Sequence, residues 1–315
     1  MTWFFQRVAQ SLLMLWVVIT LVFLSIHMVP GDPVELLLSQ DGGSPDPAMI
    51  EMVREQMGLN RPLFEQYREK LWALAHFDLG KSLVDDSAIG QEIARRLPRT
   101  LELIGMAGLL SLLVGIPSGV VASQRPGKAF DRMANFLAGT AQSVPVFVLG
   151  SLMVLLLSQK LRLLPAGGFV PFSQAPLEHL LLLLMPAAAI AFGLSAVVYR
   201  ITRASMLEVL PMDFIRTARA KGLPRAHVIR RHVLRNALMP VITVFALQLG
   251  GLLAGTVLVE TVFNWPGLSG MLVGGVNARD YPTVTGVILV VSALFIGLNL
   301  LVDLLYGLAD PRVRK

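Results

Sequence analysis

The sequence predicts an all-α, polytopic transmembrane helical bundle of six spans, with both termini on the cytoplasmic side. Three observations predict it. Hydrophobic residues make up 54% of the 315-residue chain and charged ones only 15%, against roughly a quarter charged in ordinary soluble domains. Six apolar runs approach or exceed the roughly 20 residues that cross a bilayer as a helix, which a soluble α/β core would not need. Lys and Arg, in excess for a net charge of +6, gather in connections that six spans place on one side, and the positive-inside rule makes that side the cytoplasm. This placement explains the basic balance without nucleic acid. Cysteine is absent, which excludes disulfides, thiolate chemistry and Cys-based metal sites.

The first run, residues 8–29, ends in His27-Met28-Val29-Pro30-Gly31-Asp32-Pro33. It is longer than the apolar part of a signal peptide and lacks small residues before a cleavage point, so it reads as a retained span. Residues 31–99 are too long for a simple connector. Within them, 49–57 and 62–75 have helical spacing. In the second stretch Leu63, Tyr67, Leu71 and Leu74 form one stripe, while Glu65, Arg68, Glu69 and Lys70 face elsewhere. Phe64 and Trp72 suit a membrane interface. The reading is a mostly helical, extracytoplasmic amphipathic segment lying on the outer membrane face; a solvated loop is the alternative.

Further spans follow at 101–122, 136–157, 180–198, 241–262 and 284–305. Met185-Pro186 interrupts the fourth. Val144-Pro145 inside the third is tolerable where neighbouring helices satisfy the freed backbone groups. The chain thus divides into a first span (1–30), the extracytoplasmic segment (31–99), a five-span core (100–310) with a basic loop (200–240), and a cytoplasmic tail (311–315).

The loop carries Arg200, Arg203, Arg216, Arg219, Lys221, Arg225, Arg230, Arg231 and Arg235 against Glu208 and Asp213. Residues 212–221 read as a short helix, Gly222 as its stop, and Pro224 as the first turn of a second short helix. Such a pair, small on one side (Ala218, Ala220) and basic on the other, is either a docking element or a positive-inside anchor without a partner.

Arg216-Thr217-Ala218-Arg219-Ala220-Lys221-Gly222-Leu223, continuing to His232-Val233-Leu234-Arg235-Asn236-Ala237-Leu238-Met239-Pro240, closely resembles the cytoplasmic loop of ABC-importer permeases. The likeness is to the dipeptide, oligopeptide and nickel permease family. The Glu-Ala-Ala of the general importer loop is here Arg216, Thr217 and Ala218, and its closing Pro aligns with Arg235; both departures are habits of the peptide branch. Other stretches resemble the family in order. They are Pro30-Gly31-Asp32-Pro33, Leu97-Pro98-Arg99-Thr100-Leu101-Glu102-Leu103, Ser143-Val144-Pro145-Val146-Phe147, Leu164-Pro165-Ala166-Gly167-Gly168, Arg203-Ala204-Ser205-Met206-Leu207-Glu208, Glu260 to Gly270, Arg279-Asp280-Tyr281-Pro282 and Asp310-Pro311-Arg312-Val313-Arg314. Ser269 stands where the family more often has Gly.

The resemblance implies an ABC-importer type I permease fold in the bacterial inner membrane. It implies a second homologous permease as heterodimer partner, two cytoplasmic ATPases and an extracytoplasmic solute-binding protein. ATP and Mg would be held by the ATPases. The nearest P-loop candidate here, Pro126-Gly127-Lys128-Ala129, has Ala122 in place of the first Gly and Ala129 in place of the Mg-binding hydroxyl. Phe214, Arg216, Thr217, Ala218, Arg219, Ala220, Lys221, Gly222 and Leu223 would form the ATPase-coupling helix, with Ala218, Ala220 and Gly222 permitting close approach. The implied cargo is di- or oligopeptide, with nickel, an opine or another small solute as alternatives.

Polar groups within spans are functional candidates by default. Gln142, Ser143 and Gln248 either line a hydrated pathway or form interhelical hydrogen bonds. Glu260 reads as a structural partner for the outer loop, and Asp303 as an interfacial or paired acid. No catalytic residue or metal set is expected. Gly267-Leu268-Ser269-Gly270 fits a rhomboid-like serine protease pattern, but no histidine follows Ser269 to act as its base.

Overall fold

The computed structural model describes residues 2–28, 46–56 and 60–309. Pro30-Gly31-Asp32-Pro33, Met57, the Asp310–Arg314 motif and the tail 311–315 lie outside the described residues. In chain order the helices are α1 (Thr2–His27), α2 (Pro47–Gln56), α3 (Leu63–Ala75), α4 (Ile89–Gln124), α5 (Ala129–Ser143), α6 (Val146–Met153), α7 (Pro176–Val209), α8 (Asp213–Ala220), α9 (Arg225–His227), α10 (Arg235–Gly255), α11 (Val257–Val262), α12 (Leu268–Asn277) and α13 (Tyr281–Ala309). Two π-helical stretches extend them, Val154–Lys160 after α6 and Val228–Leu234 between α9 and α10. Among the described residues five helices are long and apolar enough to cross a membrane, or six if the bent pair counts as one span. The chain forms two compact units, residues 1–98 with 267–315 and residues 99–266.

In the first unit α1 packs along α13, and Arg7 pairs with Asp303 at 3.2 Å. Near the end of α1 the Thr20 and Tyr67 hydroxyls lie 2.6 Å apart, His27 Nε2 is 3.2 Å from Gln66 Oε1, and the rings of Phe23 and Tyr67 meet at 5.2 Å. These contacts seat α3 on α1. Tyr67, Leu71 and Leu74 are half-buried as their spacing predicts, whereas Leu63 is exposed and Lys70 is half-buried in its stead. Burial pushes the Lys70 ammonium below its usual range, with Asp78 pulling the other way. Phe64 and Trp72 stay exposed.

The core of this unit joins Ile89 and Ile93 of α4 to Leu268 and Met271 of α12 and Val287 of α13. Gly286 makes the contact possible, because a Cβ there would lie 2.8 Å from Ile89 Cγ2. Buried Asp280 accepts the Leu83 N–H at 3.2 Å and the Thr283 N–H at 3.4 Å, capping α13. Between the expected fifth and sixth spans (241–262 and 284–305) the chain forms a helix, α12, too short to cross a bilayer.

The second unit is built on α7, the most buried span, with 61% of its apolar window enclosed. Pro186 sits inside this helix instead of interrupting it. At Gly115 and Gly119 of α4 a Cβ would lie 2.7 Å from Val198 Cβ and Thr202 Cβ respectively. The two glycines therefore let α4 and α7 approach backbone to backbone, as small-residue pairs do between membrane helices.

Two expectations are corrected here. The third run is not a straight span: α5 and the helix beginning at Val146 diverge by 102° at Val144-Pro145. Proline holds the preceding residue out of helical conformation, and Val144 is extended at φ −87°, ψ 121°. The second short helix of the basic loop is instead the start of the fifth span, since α9 runs through the π stretch into α10. Pro224, at ψ 140°, sets its beginning.

Candidate functional site: an uncharged cleft and a basic helix

The bend at Val144-Pro145 opens a cleft of about 440 Å³ among α5, α6, α7 and α10. Its walls include Val146 and Leu149, then Ile190, Phe192 and Val197, then Leu252; no charged residue lines it. Its polar side chains are Gln142 and Gln248, which the structure brings from helices far apart in sequence to one surface. Both are exposed, and among the described residues neither amide has a protein hydrogen-bond partner. Ser143 does not line the cleft; its hydroxyl donates to the Gly139 carbonyl at 3.0 Å.

At the Val209 end of α7 lies α8. Ile215 and Ala218 are buried against Met206, Val228 and Val233. Phe214, Arg216, Thr217, Arg219, Ala220, Lys221, Gly222 and Leu223 face outward. Ala218 is therefore part of the chain's own core, and of the small residues Ala220 and Gly222 remain on the open face. Gly222 ends the helix at φ +75°, a left-handed conformation that favours glycine, and its N–H donates to the Arg219 carbonyl at 2.9 Å.

At the Pro176 end the second unit is held by a buried polar and aromatic cluster. His179 Nδ1 donates to the Val170 carbonyl at 2.7 Å, and its Nε2 lies 2.6 Å from Glu102. Trp265 and Phe169 pack edge-on to the His179 ring, and Trp265 Nε1 donates to the Arg99 carbonyl at 3.0 Å. Buried Glu260 accepts the Thr100 hydroxyl at 2.8 Å. Gly167 passes so close to Phe263 that a Cβ would strike its carbonyl at 2.1 Å. Ser269 is buried in the first turn of α12, a closed position for a nucleophile. Among the described residues no three His, Asp or Glu side chains are placed to share a metal ion.

Asp131 is not singled out by the sequence analysis. It is 3% exposed and meets Arg203, 72 residues away, a separation at which no local spacing can signal contact. The Gly115-x-x-x-Gly119 pair was visible in the sequence and marks a close helix crossing.

Apolar spans around an uncharged cleft, with a basic helix at one end, define a membrane transport component. Known proteins narrow this class. The model of the family of binding-protein-dependent transport system inner membrane components matches residues 115–315, and that of the family's N-terminal part matches residues 1–104. The chain is 41% identical over 317 residues to the dipeptide transport system permease protein DppB of Escherichia coli K12, covering 93% of each. It is 42% identical over 309 residues to a putative peptide transport system permease protein of Brucella abortus, covering 98% of each. The glutathione transport system permease protein GsiC of Escherichia coli O6:H1 is 39% identical over 95% of this chain and 94% of its own. The chain belongs to the family of binding-protein-dependent transport system inner membrane components, the ABC-importer permeases. The fold agrees: an inward-facing MetNI methionine ABC transporter structure matches with a TM-score of 0.56 at 18% identity, over 70% of this chain and 97% of its own. An amino acid ABC transporter matches at 0.51, also at 18% identity, over 70% and 94%.

Proposed function

We propose that this permease forms half of the pathway by which an ATP-driven importer moves di- and oligopeptides. The observation that carries the reading is its full-length similarity to peptide permeases. The glutathione permease relative keeps the expected cargo within peptides, and no residue of the cleft favours nickel or an opine. An uncharged cleft with two free amides suits a zwitterionic peptide, whose backbone groups need hydrogen-bond partners but whose passage a fixed charge would impede.

In this reading the basic loop and both termini are cytoplasmic and residues 31–99 lie outside. A second homologous permease completes the pathway, and two ATPases hold ATP and Mg. The outward face of α8, with Arg216, Arg219 and Lys221, docks on an acidic groove of one ATPase. A solute-binding protein delivers cargo on the outer side. Closure of the ATPases then moves α8 and the spans packed on it as a rigid body.

The test is affinity purification of the tagged chain from gently solubilised membranes, followed by mass spectrometry and dipeptide uptake. Recovery of a second permease and ATPases, with uptake lost when they are deleted, is expected. A lone, monodisperse chain would remove the ATP-driven mechanism.

A further inference from the structure

The helix that carries Gln142 presents small side chains to α7, which meets them with Ala196, Tyr199 and Phe192. Ala138 and Ala141 of α5 cluster with Ala196 and Tyr199 of α7 and with Ala122. Such packing sets the distance between the helices but supplies no directional bond between them.

One polar site interrupts it. Among the described residues, the side-chain hydrogen bonds that join α5 to α7 all converge on the buried carboxylate of Asp131. Arg203 Nε donates to it at 2.6 Å and Arg203 Nη2 at 2.9 Å. The Tyr199 hydroxyl adds a bond at 3.3 Å, the Gly127 N–H one at 2.8 Å and Asn135 Nδ2 one at 2.9 Å. A two-pronged Arg–carboxylate pair fixes orientation as well as distance. Asp131 thereby also ties the α4–α5 connection to the start of α5.

The position of the pair matters more than its strength. Along α7, Arg203 lies between Val197, which lines the cleft, and Met206, which packs on α8 through Ile215 and Ala218. Asp131 is in the first turn of α5, and at 1.5 Å per residue Gln142 is roughly 16 Å further along the same helix. A displacement of α8 reaches α7 by packing, and the ion pair obliges α5 to follow.

We infer that Asp131 and Arg203 are positioning residues whose ion pair transmits movement of α8 to the cleft wall bearing Gln142. The inference rests on the importer reading above. Without the pair, undirected packing alone links α5 to α7, so α5 follows α7 incompletely and ATP is hydrolysed without transport.

The experiment uses the complete importer in proteoliposomes, with its binding protein and labelled alanyl-alanine, and measures ATP hydrolysis and uptake together. D131N keeps the shape and removes the charge; R203K keeps the charge and removes the fork. Both variants are expected to assemble, with hydrolysis within about twofold of wild type and peptide taken up per ATP falling about tenfold for D131N, less for R203K. Equal losses of uptake and hydrolysis, or no change in either, would overturn the clamp as a transmission element. Should D131N fail to assemble, the same ratio measured on R203K decides. A wild-type complex that neither hydrolyses ATP nor imports the dipeptide would instead overturn the importer reading, and the clamp with it.

Discussion

Helices α1 and α7 are both long and apolar enough to span a bilayer, yet none of the apolar window of α1 is buried and 61% of that of α7 is. The difference lies in what interrupts the apolar run. Leu12, Leu13, Met14, Trp16 and Leu21 of α1 are large and exposed, a surface for lipid or a partner. Along α7 small residues alternate with groups that need partners: Ala187, Ala189, Ala191 and Ala196 are buried, and His179 and Arg203 are each held by a carboxylate. In a bilayer, apolarity brings no helix to a neighbour, because lipid is equally apolar; close packing and interhelical hydrogen bonds do.

The largest effect should come from filling the tightest contact of α7. Gly119→Leu would drive a side chain into Thr202 and the Tyr199 carbonyl, at a cost of about 3 kcal/mol or more. The measurement is thermal unfolding of the detergent-solubilised protein, and an unchanged midpoint would break the comparison. His179→Leu should cost about 1–2 kcal/mol, chiefly by leaving the Val170 carbonyl without its donor, since the Glu102 side chain is 38% exposed, and should be visible as earlier proteolysis within residues 161–175. On the α1 side, Tyr67→Phe removes one hydroxyl bond to Thr20 and should cost about 1 kcal/mol, read as faster amide exchange in α3.

A pH series sharpens the same contact. Burial lowers the Lys70 pKa below its ordinary 10.5, so between the two values the undocked segment binds more protons than the docked one. The cost of docking is thus fully present below the folded-state pKa and disappears as pH rises toward 10.5. Protection of α3 should increase over that range, and Lys70→Met should abolish the increase. The smallest effect belongs to the exposed face of α1: Leu13→Ala should shift stability by no more than about 0.5 kcal/mol. A large shift there would show that α1 is held by something beyond its packing on α3 and α13.

Elements of the site differ in how far they were legible. The extent and stop of α8 follow from local chemistry, since Gly222 takes a left-handed φ that other residues avoid. That Ala218 turns inward while Ala220 stays on the open face depends on Val228 and Val233, which the loop folds back against it. Gln142 and Gln248 stood out as amides in apolar runs, but that they share a cleft required the bend at Val144-Pro145. Asp131 gave no signal at all.

Run length, charge placement and motif order determined by themselves that this chain is a helical, multi-pass permease, because the costs of burying charge and leaving backbone unpaired in lipid act residue by residue along the chain. Tertiary structure alone decided which face of each span meets protein, where the third span breaks and how Asp131 finds Arg203. Those outcomes depend on close fits and hydrogen bonds between residues far apart in sequence, and no window along the chain contains both partners.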